Sequence, residues 1–313
     1  MSFLSSVKFA TSFSMLCLVA ACSPAMTPAD GGDAGTTPTD MGTTPTDNPS
    51  APTDVPSATD VPSAVDVPSA VDVPTIADSG PAASSTFGAL LSGAQEVPST
   101  GPASRGVASL SFNPATRVLS FNIVHNVANP TAAHIHIGAA GMNGGVAVAF
   151  PGPMFASPMT GSLTIPEANV GAFNSGGLYI NIHSMANAGG EIRGQIVPAN
   201  MVFTLTGAQE VPPTASTATG FGIGNYNAMT GAMSISIDHN VRQATAAHIH
   251  AGARGMNGGV VVALPAFASP ISGSVMIPAA NQAALLSDGL YVNIHSMANG
   301  GGEIRGNIQR IQF

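Results

Sequence analysis

Thr131-Ala-Ala-His-Ile-His-Ile-Gly138 runs on through Ala139 and Ala140 to Gly141-Met-Asn-Gly-Gly-Val146. The phrase returns as Thr245-Ala-Ala-His-Ile-His-Ala-Gly252, running on to Gly255-Met-Asn-Gly-Gly-Val260, and only Ile137/Ala251 and Ala140/Arg254 differ between the copies. In an extended strand successive side chains point to opposite faces. Ile135 and Ile137 therefore share one face, and His134 and His136 share the other. The Gly and Asn residues that follow supply positive φ at low cost, so the stretch reads as a half-buried strand entering a tight hairpin. A backbone anion nest at the same glycines is the rarer alternative.

The repetition extends outward from there. Leu178-Tyr-Ile-Asn-Ile-His183 and Gly190-Glu-Ile-Arg-Gly194 return as Leu290-Tyr-Val-Asn-Ile-His295 and Gly302-Glu-Ile-Arg-Gly306. Leu91-Ser-Gly-Ala-Gln-Glu-Val-Pro98 returns as Leu205-Thr-Gly-Ala-Gln-Glu-Val-Pro212, where Gln-Glu is expected to fix a strand start or edge. A unit of about 110 residues is a small domain rather than a solenoid repeat. Strands are expected near 87–92, 106–112, 117–125, 132–137, 145–150, 160–165, 177–183 and 190–196, with a mirrored set in the second unit. Short alternating runs broken by Gly, Pro, Asn and Ser show no sustained helical period. Pro166 and Pro278 each open a short helical turn. The expected fold is all-β: two tandem Greek-key-like β-sandwich domains over residues 87–198 and 201–313.

The N-terminal part is of another kind. Residues 1–22 read as a lipoprotein signal peptide: Lys8, an apolar run from Phe9 to Leu18, then Leu18-Val-Ala-Ala-Cys22. The run is too short to span a bilayer, and it ends in small residues before a cysteine. That ending resembles a bacterial lipobox, which implies lipidation of Cys22. With Ser23 next, the rule of that family implies the outer membrane. Residues 23–86 are rich in Pro, Thr, Ser and Asp and cannot bury enough apolar area to offset chain entropy, so a disordered stalk is expected. The expected location is the bacterial cell envelope, at the outer membrane or cell surface.

Nine of the sixteen acids lie before residue 80, and from Phe87 onward seven acids balance seven arginines. No basic footprint is present, which excludes the usual nucleic-acid binder. The absence of tryptophan removes the commonest stacking platform. Cys17 and Cys22 are the only cysteines, so the repeats fold without disulfides.

All eight histidines lie in the repeats. On the face opposite Leu178, Ile180 and Ile182 stand Tyr179, Asn181 and His183. On the face opposite Ile192 and Ile196 stand Glu191, Arg193 and Gln195. His134, His136 and His183 thus form a candidate three-nitrogen metal site, and His248, His250 and His295 form its copy. Imidazole suits copper or zinc, and three ligands leave one position open. Asn181, Glu191, Arg193, Asn293, Glu303 and Arg305 are candidates to support the ligands from behind. The bland alternative is a polar network without metal. His125 and His239 fall in phase with Leu119, Phe121 and Ile123 and their counterparts, so they read as strand-end or core histidines. Met142, Met185, Met256 and Met297 lie close in sequence to the histidines. Packing filler is the default role for methionine, and ligation of copper(I) the sharper one. Ser184 and Ser296 follow histidines directly, but neighbours on a strand point apart, and no nucleophile–base set suggests a hydrolase.

At these phrases the chain resembles the CHRD domain, named from chordin. The resemblance implies extracellular β-sandwich modules that bind or scaffold. A more distant similarity is to copper/zinc superoxide dismutase, which implies copper ligands at His134, His136 and His183, and at His248, His250 and His295, with Arg193 and Arg305 beside the copper. The disulfide cysteines, the bridging histidine and the zinc-loop aspartate of that family have no counterparts here. The leading expectation is a lipid-anchored surface protein with two non-catalytic binding modules, partnered with an extracellular protein or envelope ligand. The alternatives are a copper-dependent redox enzyme and a purely structural envelope protein.

Overall fold

The computed structural model describes residues 84–101, 104–152 and 155–313. The signal segment, Cys22 and residues 23–83 of the expected stalk lie outside the described residues. The first repeat comprises β1 (Ser85–Ser92), β2 (Arg105–Asn113), β3 (Val118–His125), β4 (Pro130–Ile137), β5 (Val146–Ala149), β6 (Met159–Thr164), α1 (Glu167–Asn174), β7 (Leu178–Ser184), β8 (Ile192–Gln195) and β9 (Val197–Pro198). The second comprises β10 (Met201–Thr206), β11 (Thr219–Tyr226), β12 (Ala232–His239), β13 (Ala244–Ala251), β14 (Val260–Ala263), β15 (Ile271–Met276), α2 (Ala279–Leu286), β16 (Leu290–Ser296), β17 (Ile304–Asn307) and β18 (Gln309–Arg310). Ser85 and Thr86, placed in the stalk by composition, belong to β1 instead, because they pair with Phe112 and Ser111 of β2.

Each repeat is one sheet with the order β5-β4-β7-β8-β1-β2-β3-β6, and β9 added beside β1. The two halves of this path join at the single pairing of Ser92 with Arg193. The sheet folds back there and encloses one core. That core takes Leu91, Leu110, Leu119, Phe121 and Ile123 from one half and Ile135, Leu178, Ile180, Ile182 and Ile192 from the other. The alternation expected for β3 and β7 holds: Leu119, Ile123, Leu178, Ile180 and Ile182 are fully buried. Each such side chain contributes ~1.5–3 kcal/mol. Phe173 of α1 plugs one end, with its ring 4.6 Å from both Phe87 and Phe112. The chain crosses between the halves from β3 to β4, back from β5 to β6, and again through α1 to β7, which gives the Greek-key-like path. The second repeat follows the same order, from β14 at one edge to β15 at the other.

The repeats also share a small third cluster. Leu90 and Val107 point away from their own core, and they are buried against Phe221, Ile223 and Ile311 of the second repeat, with Ala199 of the link between them. The residues at equivalent positions differ: Leu90 matches Thr204, Val107 matches Phe221, and the position of Ile223 is Ser109 in the first repeat. The contact is therefore made by unlike faces. Arg105 and Asp238 pair across it at 3.1 Å, where the equivalent residues are Thr219 and Val124. Asn200 fixes the link, its side chain bonding both the carbonyl and the N–H of Tyr226.

Candidate metal centre

The site of the first repeat is built on β4 and β7, which run antiparallel with Ala132 opposite His183 and His134 opposite Asn181. His183 is thus the diagonal neighbour of His134 on the same face. The small Ala132 across from His183 leaves room for the rings. The pairing of β4 with β5 shifts register between Ile135 and His136, an irregularity of the kind that re-aims a side chain. One nitrogen from each of His134, His136 and His183 lies within 4.8 Å of the others, and His248, His250 and His295 repeat the arrangement.

Backbone carbonyls set the ring orientations. His136 donates from Nδ1 to the Gly144 carbonyl at 3.0 Å, and His183 donates from Nδ1 to the Ala188 carbonyl at 2.9 Å. A nitrogen facing a carbonyl must carry the proton, which in a neutral ring leaves the lone pair on Nε2. Nε2 of His183 lies 3.1 Å from Nδ1 of His134. Nε2 of His136 is buried and has no hydrogen-bond partner among the described residues. The second repeat is the same: His250 to Gly258, His295 to Gly300, His248 Nδ1 3.1 Å from His295 Nε2, and His250 Nε2 unpartnered. A tetrahedral metal with bonds of ~2.0–2.1 Å places adjacent ligand nitrogens ~3.3 Å apart, close to the spacing of His134 and His183. Burial holds His134 and His136 below the usual histidine pKa, and the neighbouring imidazoles add to this. His248 and His250 are lowered for the same reasons. These rings are therefore neutral, which is the metal-binding form.

The turn that carries Gly144 is held from behind. Arg193 donates to Asn143 Oδ1 at 3.0 Å and to the Met142 carbonyl at 3.1 Å. Asn143 in turn donates to the Val97 carbonyl at 2.7 Å. Gly144 has its own constraint: a Cβ there would lie 1.5 Å from the Ile137 carbonyl oxygen. Tyr179 stacks on His136 with ring centroids 5.1 Å apart and carries the Arg193 guanidinium 4.2 Å from its centroid. Arg193 is 2 % exposed, so it is a buried clamp and neither a surface ion-pair partner nor a lip of the site. Arg305 repeats the hold on Asn257 and Tyr291.

The remaining candidates are brought near without touching a site histidine by hydrogen bond. Asn181 donates to Glu96 at 3.3 Å. Glu191 accepts from Ser104 and from Asn187, and Glu303 accepts from Ser216 at 2.8 Å. Asn293 is buried in the same place as Asn181. Glu96, in the phrase expected to fix a strand start or edge, is buried, and burial pushes its carboxyl up to about 7 against the pull of Arg193 and the Asn181 amide. Glu210 is likewise raised to about 7 by burial, against Arg305. His125 donates from Nε2 to the Phe155 carbonyl at 2.9 Å and accepts at Nδ1 from the Val127 N–H. His239 does the same with Phe267 and Val241, so both are structural histidines. Met142, Met185, Met256 and Met297 are not packing filler, since all four are exposed. The carbonyls of Gly144 and Ala188 and the ring of Tyr179 were not legible as site parts, although the repetition of Tyr179 and of Gly-Ala-Gln-Glu-Val-Pro was a signal.

The family model of the CHRD domain matches residues 87–196 and 201–308. The chain belongs to the CHRD-domain family. The two matched spans coincide with the two sheets, so each CHRD domain carries one three-histidine group, two buried glutamates and one buried arginine. Neither the curated proteins nor the solved structures contain a match to the chain.

Proposed function

We propose that each CHRD domain of this chain is a metal-binding module. His134, His136 and His183, and separately His248, His250 and His295, would each hold one copper or zinc ion through three nitrogens, with the remaining position open. The observation that carries this is the unpartnered, buried Nε2 of His136, reproduced at His250. A buried polar atom without a partner costs ~1–3 kcal/mol. Both domains repeat the arrangement beside two further imidazole nitrogens facing one another, and a cation held there would give the atom a partner.

The copper-enzyme reading is weaker than the binding reading. The arginine that a dismutase would place beside copper is engaged here with Asn143, Met142 and Tyr179. The setting we infer is a bacterial cell envelope, with lipid on Cys22 and residues 23–83 as a spacer that displays the modules to an extracellular or envelope partner. The signal-like composition of residues 1–22 supports this reading.

Metal titration of the purified chain tests the function. Two equivalents of zinc or copper(II) should bind the wild type, one should bind His134→Ala/His136→Ala, and none should bind when His248→Ala and His250→Ala are added. A folded wild-type chain that binds neither metal would overturn the proposal.

A further inference from the structure

Each domain places one solvent-exposed methionine on each of the two loops that orient its site histidines. Met142 stands two residues before Gly144, whose carbonyl holds His136. Met185 stands two residues after His183 and three before Ala188, whose carbonyl holds His183. Met142 is 62 % exposed and Met185 78 %, and their counterparts Met256 and Met297 are 60 % and 74 % exposed. Their backbones are tied down: Met142 donates to Ala139 and accepts from Arg193, and Met185 donates to Asn129. The side chains alone are left in water.

Exposure on this scale removes packing as the reason for methionine. Neighbouring exposed positions have drifted between the domains, Ile137 to Ala251, Ala140 to Arg254 and Ala188 to Gly300, while both methionines are retained. The thioether has one chemistry that other apolar side chains lack: it is a soft, uncharged donor that selects copper(I) over zinc. An imidazole cluster with an open position, and thioethers on the loops that frame it, is a donor set suited to the monovalent ion.

We propose that the exposed methionines make each domain a receptor for copper(I), with one thioether, from Met142 or Met185 in the first domain and from Met256 or Met297 in the second, taking the position the three histidines leave open. This rests on the three-histidine reading and specifies the ion it serves. No change of oxidation state is involved.

The test uses the full chain under anaerobic, reducing conditions. Copper(I) affinity is measured by competition with a chromophoric chelator, and zinc affinity is measured in parallel. The variant Met142→Leu/Met185→Leu/Met256→Leu/Met297→Leu keeps side-chain volume at exposed positions and so keeps the fold. Its copper(I) affinity should fall by about tenfold or more, equivalent to about 1.4 kcal/mol, with zinc affinity unchanged. X-ray absorption of the copper(I) form should show sulfur neighbours in the wild type and none in the variant. Equal copper(I) affinity in the two proteins would overturn the inference and leave the histidine site standing. So would a wild type that binds zinc but not copper(I). A wild type that binds no metal at all would remove the histidine site as well.

Discussion

The Arg193 guanidinium lies 4.2 Å from the centre of the Tyr179 ring, whose other neighbour in the stack is His136. A buried cation is thereby linked to a candidate metal ligand through one aromatic ring and through the turn the cation clamps.

Arg193→Ala should cost about 2–4 kcal/mol in urea denaturation, because it opens a cavity and leaves the Met142 carbonyl and Asn143 without their donor. It should also weaken metal binding at the first domain by roughly 10–100-fold, as loss of an outer support does, while the second domain is unaffected. Arg193→Lys should restore part of the stability and little of the affinity, since an ammonium cannot hold both acceptors in the planar geometry of the guanidinium.

Gly144→Ala and Gly145→Ala make a paired experiment. At Gly144 a methyl group would collide with the Ile137 carbonyl at 1.5 Å, whereas at Gly145 it meets nothing within 4 Å. The first variant must open the turn and displace the carbonyl that orients His136, so metal stoichiometry should drop from two to one. The second should bind as the wild type does.

The buried glutamates have a pH signature. A carboxyl raised to about 7 in the fold, against 4.5 when unfolded, stays protonated on the native chain through that window. Its contribution is fully present below 4.5 and is lost as pH rises through 7. Glu96→Gln/Glu210→Gln should therefore be more favourable relative to wild type at pH 8 than at pH 5, by urea midpoints. A conventional buried Arg–Glu ion pair would give the opposite ordering.

The structural histidines act in the other direction. Burial lowers the pKa of His125 and His239 below 6.5, against hydrogen bonds that raise it. The unfolded chain binds their protons first, so stability is lost as pH falls below about 6.5. His125→Gln should reduce that acid sensitivity and lower overall stability, without changing metal stoichiometry.

Gly88→Leu tests the junction between the domains. A Cβ at Gly88 would lie 3.0 Å from Ile223 and 3.1 Å from Ala199, so a larger side chain must separate the two surfaces. Scanning calorimetry should show the two domains melting further apart in temperature than in the wild type, because the shared cluster no longer couples them.

Period-two patterning and internal repetition were enough to place nearly every strand. They also put His134, His136 and His183 on one face, because alternation is a local property of the extended backbone. They marked His125 as a strand-end or core residue by the same rule. They could not reveal that the face carrying Tyr179, Asn181 and Arg193 is itself covered, since the cover comes from Glu96 and the turn around Asn143, far away in the chain. Nor could they show that Leu90 and Val107, outward-facing by alternation, are buried by the other domain. The sequence by itself determined the strands, the duplication and the set of donor residues, all written in local spacing. Tertiary structure alone decided which nitrogens face one another, which polar groups lose their water, and which methionines keep theirs, because desolvation depends on segments that meet only when the sheet closes.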